Sequence, residues 1–278
     1  MIREEKNGTF LLDNKKWEKM DINMENGRYQ TYIFDLYGTL VDIHTEEDAP
    51  EVWEKLALFY GYYDAIYEPE ELRKEFRRLI GQKENAMREE MQTEGGKAAD
   101  THEAFPEIEI ENVFRELFEN KGIMADETLA VHAGQFFRVL STEYIHLYEG
   151  AKELLAALKQ AGGRLYLLSN AQRIFTEYEM HTLGIASYFE DIFISSSCGV
   201  KKPDERFFRM LLEKHDIDVS KAVMIGNDMN SDIRGAKQVG LSTFYIHSNI
   251  SPELDGEIEA DDVLLEMDMR AVKQKLLG

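Results

Sequence analysis

Tyr32-Ile33-Phe34-Asp35-Leu36-Tyr37-Gly38-Thr39-Leu40-Val41-Asp42 runs from an apolar, β-prone segment directly into a carboxylate. Gly38 and Thr39 turn the chain, and Leu40 and Val41 then resume the apolar pattern. In an open parallel sheet, ligands sit beyond the carboxyl ends of the strands, so a strand ending in Asp35 delivers that carboxylate to a substrate. Taken alone, an Asp opening a turn is ordinary. Three further polar clusters, each following an apolar run, make the stretch more than a turn.

From Gly150 onward the chain alternates helix and strand. A helix over Ala151–Gln160 stops at Gly162-Gly163, where glycine ends helices. The strand Arg164–Leu168 ends at Ser169-Asn170, and a helix over Arg173–Thr182 leads to the strand Asp191–Ile194 and a Ser195-Ser196-Ser197 turn. After Lys202-Pro203, a helix over Asp204–His215 precedes the strand Ala222–Ile225, which ends at Gly226-Asn227-Asp228. A helix over Ser231–Val239 reaches the last core strand, Ser242–Ile246; an acidic loop (Ser251–Asp262) and a closing helix (Met269–Leu277) follow. Repeated units of this length predict an α/β fold, a three-layer Rossmann-like core with a parallel sheet.

Upstream the texture differs. From Val52 to Leu147, apolar residues recur at helical spacing, interrupted by a loop at Thr93–Asp100 holding Gly95-Gly96. This predicts an inserted all-α block over 46–147 between two parts of the core, 31–45 and 148–278. Its aromatics (Trp53, Phe59, Tyr60, Tyr62, Tyr63) are expected to serve mainly its own core. Residues 1–30 read as an extension, with Phe10-Leu11-Leu12 its one apolar patch.

The composition narrows the function. With 32 basic and 53 acidic residues among 278, the net charge of −21 disfavours nucleic acid and anionic membrane partners. No apolar run approaches the ~20 residues of a membrane span, and no apolar segment follows the charged residues Met1–Asn7. Cys198 is the only cysteine, which excludes an intrachain disulfide. A cytoplasmic protein acting on a small molecule is expected.

Asp35 with Tyr37, Ser169-Asn170, Lys202 before Pro203, and Asp228 with Asp232 together resemble the motifs of the haloacid dehalogenase-like hydrolase superfamily, in order and spacing. The helical insert directly after the first motif resembles that superfamily's C1-type cap. The resemblance implies that Asp35 is a nucleophile; a carboxylate is ionised, and so competent, at neutral pH. It would attack phosphorus to form an aspartyl-phosphate. Ser169 and the backbone near Asn170 would bind phosphoryl oxygens, and Lys202 would neutralise charge beside the nucleophile. Lys201 is expected to be a solvated neighbour. Mg²⁺ is implied on Asp35, the main-chain carbonyl of Tyr37, and Asp228 with Asp232, since paired carboxylates offer hard oxygen ligands. Asp228 is expected to be the firmer ligand, with Asp232 binding through water or anchoring Lys202. Asn227 stands where many of these phosphatases carry Asp.

Tyr37 is the departure. Family phosphatases carry Asp two residues after the nucleophile to protonate the leaving oxygen, whereas the family's dehalogenases carry Tyr there, in Asp-x-Tyr-Gly-Thr, as here. In the dehalogenases the carboxylate attacks carbon, halide leaves without a proton, and no metal is needed. The retained acids Asp228 and Asp232, costly beside an anionic nucleophile without a cation, favour a Mg²⁺-dependent phosphatase of a small phosphorylated metabolite. Haloacid dehalogenation and a catalytically idle binding role are the alternatives. The Tyr37 hydroxyl is a candidate proton donor, and His44, near the hinge at Ile43–Glu47, a minor candidate for the site.

Overall fold

The computed structural model describes residues 28–94, 105–254 and 256–278. Most of the 1–30 extension and of the Thr93–Asp100 loop lies outside the described residues.

In chain order, β1 (Thr31–Phe34) and β2 (Val41–Thr45) precede four helices, α1 (Pro50–Tyr62), α2 (Pro69–Glu94), α3 (Glu111–Glu119) and α4 (Glu127–Ser141). Then come β3 (Thr142–Leu147), α5 (Ala151–Gln160), β4 (Arg164–Ser169), α6 (Arg173–Thr182), β5 (Asp191–Ile194) and the one-turn α7 (Ser195–Cys198). The chain closes with α8 (Glu205–Lys214), β6 (Ala222–Gly226), a π-helical turn Met229–Arg234 running into α9 (Gly235–Gln238), β7 (Ser242–Ile246), β8 (Asp262–Leu264) and α10 (Met269–Leu277).

Six strands form one parallel sheet in the order β5-β4-β1-β6-β7-β8. Successive strand side chains point to opposite faces, and the core divides accordingly. Tyr32, Phe34, Leu165, Leu167, Val223 and Ile225 join α5 and α10 on one side. Ile33, Tyr166, Leu168 and Met224 join α8 and α9 on the other. Burial on both faces is why β1 reads as an unbroken apolar run. It also puts Asp35 at the centre of the sheet's carboxyl edge, between the ends of β4 and β6.

The helices α1–α4 build a second apolar cluster around Trp53, Tyr60, Phe76, Phe114 and Phe137. Trp53 and Tyr60 are buried in it, Phe59 is half-buried and stacked on Phe136, and Tyr62 stands in solvent. The cluster does not end at the insert, because Ile174 and Phe175 of α6 are part of it. Gly134 permits the approach: a Cβ there would lie 2.4 Å from Ile174 Cδ1 and 3.0 Å from the Phe114 ring.

Three expectations need correction. The helix anticipated up to Leu147 stops at Ser141, and β3 pairs antiparallel with β2, so the insert stands on a two-stranded ribbon. Ile145 and Leu147 pack against the main core while Tyr144 and His146 face outward, a strand alternation that adjoins α4 in sequence. Asp262, assigned to the acidic loop, instead opens β8 at the sheet edge. The Ser195–Ser197 turn is the start of α7. The closing helix at Met269–Leu277 is found where expected.

Candidate active site

Asp35, Ser169, Lys202 and Asp232 come together at the carboxyl edge of the sheet. Lys202 Nζ donates to Asp35 Oδ1, Asp232 Oδ1 and the Leu168 carbonyl, each at 2.7 Å. That uses all three ammonium hydrogens. Ser169 Oγ donates to the same Asp35 oxygen at 3.2 Å. Burial works against the Lys202 charge, but Asp232 and Asp35 outweigh it and hold the pKa above the ordinary lysine value. Full burial pushes the Asp232 carboxyl upward, while Lys202 and the Asp228 N–H act in the opposite direction.

Each lysine contact is set by a local feature of the chain. Asn170 follows Ser169 off β4, and its amide is joined twice to the Lys202 main chain: Nδ2 donates to Lys202 O at 2.9 Å and Lys202 N donates to Oδ1 at 2.8 Å. The Asn170 side chain therefore positions the lysine loop. Lys201 is not simply solvated, since its Nζ lies 3.5 Å from Glu107. Gln172 grips the same crossing segment, donating to Glu107 Oε1 and Ile108 O at 3.0 Å and accepting from Ile110 N at 2.9 Å.

Asp228 and Asp232, expected as the cation-holding pair, are engaged differently. Asp232 Oδ2 accepts the main-chain N–H groups of Asn227 and Asp228, both at 3.0 Å, so both its oxygens are committed. Asp228 Oδ1 caps the helical turn that follows, accepting from Asn230 N at 2.8 Å and Ser231 N at 3.1 Å. The residue that approaches Asp35 is Asn227. The Thr39 hydroxyl lies 3.2 Å from Asn227 Oδ1 and 3.4 Å from Asp35 Oδ2, so these two oxygens converge on one point. Asn227 Nδ2 is held toward Ser251 Oγ at 3.3 Å and Ser248 Oγ at 3.5 Å. Gly38, with φ of +84°, leaves the space, because a Cβ there would sit 2.2 Å from Asn227 Nδ2.

Among the described residues, no three Asp, Glu, His or Cys side chains form a metal cage. The donors nonetheless suit Mg²⁺, which takes few protein oxygens and keeps several waters. Two buried carboxylates, Asp35 and Asp232, also face a single ammonium, leaving a negative charge for a cation to neutralise.

The Tyr37 side chain belongs to another network. Its hydroxyl donates to Glu179 Oε2 and lies 3.1 Å from Thr176 Oγ1, both on α6. Burial, then the neighbouring Glu179 charge, pushes its pKa far above the ordinary tyrosine value. Arg138 of α4 docks on the same carboxylate, Nε to Oε1 at 2.6 Å, and its guanidinium carbon stands 5.7 Å from the Tyr37 ring centroid. Glu179 and Arg138 were not singled out from the sequence. The available signal was a charged residue on the buried face of α6, shared with Phe175, Thr176 and Met180. His44 lies on the ribbon, stacked on Tyr144 and 3.8 Å from Glu143, not among these groups.

The chain is similar to several known proteins. Phosphoserine phosphatase of Thermus thermophilus is 33% identical over 162 residues, 58% of this chain and 63% of that protein. Phosphoglycolate phosphatase of Vibrio vulnificus is 32% identical over 139 residues, 48% of this chain and 60% of that protein. The chain thus spans less than two thirds of the length of either relative. The solved 2-haloacid dehalogenase of Pseudomonas syringae pv. Tomato shares the fold, with a TM-score of 0.57 and 20% identity over 89% of this chain and 98% of that one. The sequence model described as haloacid dehalogenase-like hydrolase matches residues 29–240, and the chain belongs to that family.

Proposed function

We propose that the protein is a Mg²⁺-dependent phosphatase of small phosphorylated metabolites that works through an aspartyl-phosphate on Asp35. The reading is carried by the contact of Lys202 Nζ with Asp35 Oδ1 at 2.7 Å, with Ser169 on the same oxygen and the other carboxylate oxygen turned toward Thr39 and Asn227. The phosphatase names of the two relatives support the same choice.

In this mechanism an Asp35 oxygen forms a bond to phosphorus as the ester P–O bond breaks, and the leaving oxygen departs as the alkoxide or phenoxide, taking its proton from water. Water then attacks phosphorus, releasing phosphate and restoring the carboxylate. Lys202 balances the charge on Asp35 and on the phosphoryl oxygens, held there by Asp232 from one side and by the Asn170 amide along its main chain. Ser169 orients the phosphoryl group. Asp35 and Asn227 would hold Mg²⁺, with the Tyr37 carbonyl and Asp228 as the further ligands that the family resemblance implies. When bound, the metal neutralises phosphoryl charge. Tyr37 is left without an acid's role at the leaving oxygen, so esters with good leaving groups should react best. Residues 46–147 act as a lid over the core of 31–45 and 148–278. No helix among the described residues is long and apolar enough to cross a membrane; a cytoplasmic location is part of this reading.

Metal-independent dehalogenation is the second reading, favoured by Tyr37 at the position two beyond Asp35. One assay separates the two. The protein is given p-nitrophenyl phosphate and 2-chloropropionate, each with Mg²⁺ and with EDTA. Phosphate release that needs Mg²⁺ is expected; chloride release unaffected by EDTA would overturn the proposal.

A further inference from the structure

The insert is joined to the loop that carries Lys202, at a place other than its two-stranded ribbon. Pro106, in the segment between α2 and α3, forms an isolated antiparallel bridge with Val200, two residues before Lys202. Around it Lys201 N donates to Phe105 O at 3.0 Å, and Glu107 N donates to Gly199 O at 3.2 Å. The Glu107 side chain, 12% exposed, closes the joint. Its Oε1 accepts from Gln172 Nε2 at 3.0 Å, and its Oε2 lies 3.3 Å from Ser195 Oγ and 3.5 Å from Lys201 Nζ. The turn after β4 gathers the pieces. Ser169 donates to Asp35, Asn170 holds the Lys202 main chain through both its N–H and its carbonyl, and Gln172 holds the insert.

We infer that Glu107 is a positioning residue for Lys202: through it the insert holds loop 199–202, so the lysine is set against Asp35 only while the insert is seated. The inference deepens the phosphatase reading and rests on it. The Lys201 N–H and the Gly199 carbonyl have their partners on the insert, so a loop that loses the joint is left with unpaired main-chain groups and is free to shift. Motion of the insert about its ribbon must therefore break this joint or carry the lysine loop with it. A carboxylate suits the place because its two oxygens can receive an amide, a hydroxyl and an ammonium together. The distance over which this acts is short, since a shift of about 1 Å in a group aligned on the reacting atoms costs about a hundredfold in rate.

The test begins with amide hydrogen exchange on the unaltered full chain, which needs neither turnover nor a variant. The Glu107 and Lys201 N–H groups stand on opposite sides of the joint, and their protection is expected to agree within about fivefold, as one opening unit. A larger difference would overturn the inference. In Glu107→Ala, exchange of the Lys202 N–H, which is bonded to Asn170 and not to the insert, should quicken by about tenfold or more relative to the amides of β1. With p-nitrophenyl phosphate and Mg²⁺, kcat of this variant should fall by about tenfold to a hundredfold while KM stays within about threefold. Glu107→Gln, which keeps the oxygen that receives Gln172, should recover most of the rate. A merely structural role would lower the melting temperature and leave kcat and the Lys202 N–H unmoved; that pattern, or a loss confined to KM, would overturn the inference. Should Glu107→Ala fail to fold, the comparison of Glu107 with Lys201 in the unaltered protein decides alone. Failure of the phosphatase reading shows separately, as no phosphate release by the unaltered protein.

Discussion

Asp232 shares the Lys202 ammonium with Asp35: its Oδ1 is 2.7 Å from Nζ, and the Asp232 and Lys202 side chains are both about 1% exposed. Removing the ammonium strands two buried carboxylates. Lys202→Met is therefore expected to cost about 3–5 kcal/mol of stability, the range for breaking a buried pair by deleting one partner. It should also abolish turnover. Chemical denaturation with activity measured in parallel checks this, and a stable, active Lys202→Met protein would contradict the geometry.

The same lysine gives a pH dependence. Its folded pKa is raised, so its contribution to stability is complete below the ordinary value of 10.5 and is lost as pH rises through the folded value. Melting temperatures of the unaltered protein should fall across this alkaline window. In Lys202→Met the fall should be shallower, leaving only the part due to tyrosines such as Tyr37, whose pKa is also raised in the fold.

Tyr37→Phe separates a structural hydroxyl from a catalytic one. The substitution takes a donor from the buried Glu179 and should cost about 1–3 kcal/mol of stability. The phosphatase rate constant is expected to stay within about threefold, because general-acid help is worth about 10²–10⁴-fold and this hydroxyl is directed to α6. A hundredfold fall in kcat with folding intact would show that the Tyr37 proton reaches the leaving group.

How much of this was open to inspection of the sequence follows from what each residue touches. Asp35 and Ser169 were legible because strand ends in a parallel sheet converge, whereas Lys202, past α7, was legible only through its Lys-Pro pair; the contacts among the three are short and direct. The partition between Asp228 and Asp232 was only half legible. Asp232 as the anchor of Lys202 was one of two expected outcomes, whereas the capping role of Asp228 depends on the π-helical turn after it. Asn227 was noticed as a substitution, but the direction of its amide is set by Ser248 and Ser251, some twenty residues away and past another strand. The Arg138–Glu179 pair was invisible because charged residues on helices usually face water, and this pair is buried only by the meeting of α4 with α6. Strand β3 was missed since Ile145 and Leu147 also extend the helical spacing of α4.

Asn227→Asp should strengthen magnesium binding, because ligand charge sets cation affinity at such sites. A decrease in the Mg²⁺ Kd of about tenfold or more is expected by calorimetry. An unchanged Kd would mean that Asn227 Oδ1 is not at the cation's position.

Gly134→Val tests the contact between insert and core. A Cβ alone meets the Phe114 ring at 3.0 Å and Ile174 Cδ1 at 2.4 Å, so Ile174 must shift and the two further methyls crowd the same cluster; a loss of about 1–3 kcal/mol is expected from overpacking. Tighter KM values or unchanged stability would show that α4 and α6 do not approach this closely in solution.

The central claim is that Asp35 becomes phosphorylated. The most direct measurement is rapid acid quench of the protein turning over p-nitrophenyl phosphate labelled in the phosphoryl group, followed by peptide mapping. Label on the peptide containing Asp35, and none in Asp35→Asn, is the predicted result. Phosphate release that persists in Asp35→Asn, or label carried by a different residue, would contradict it.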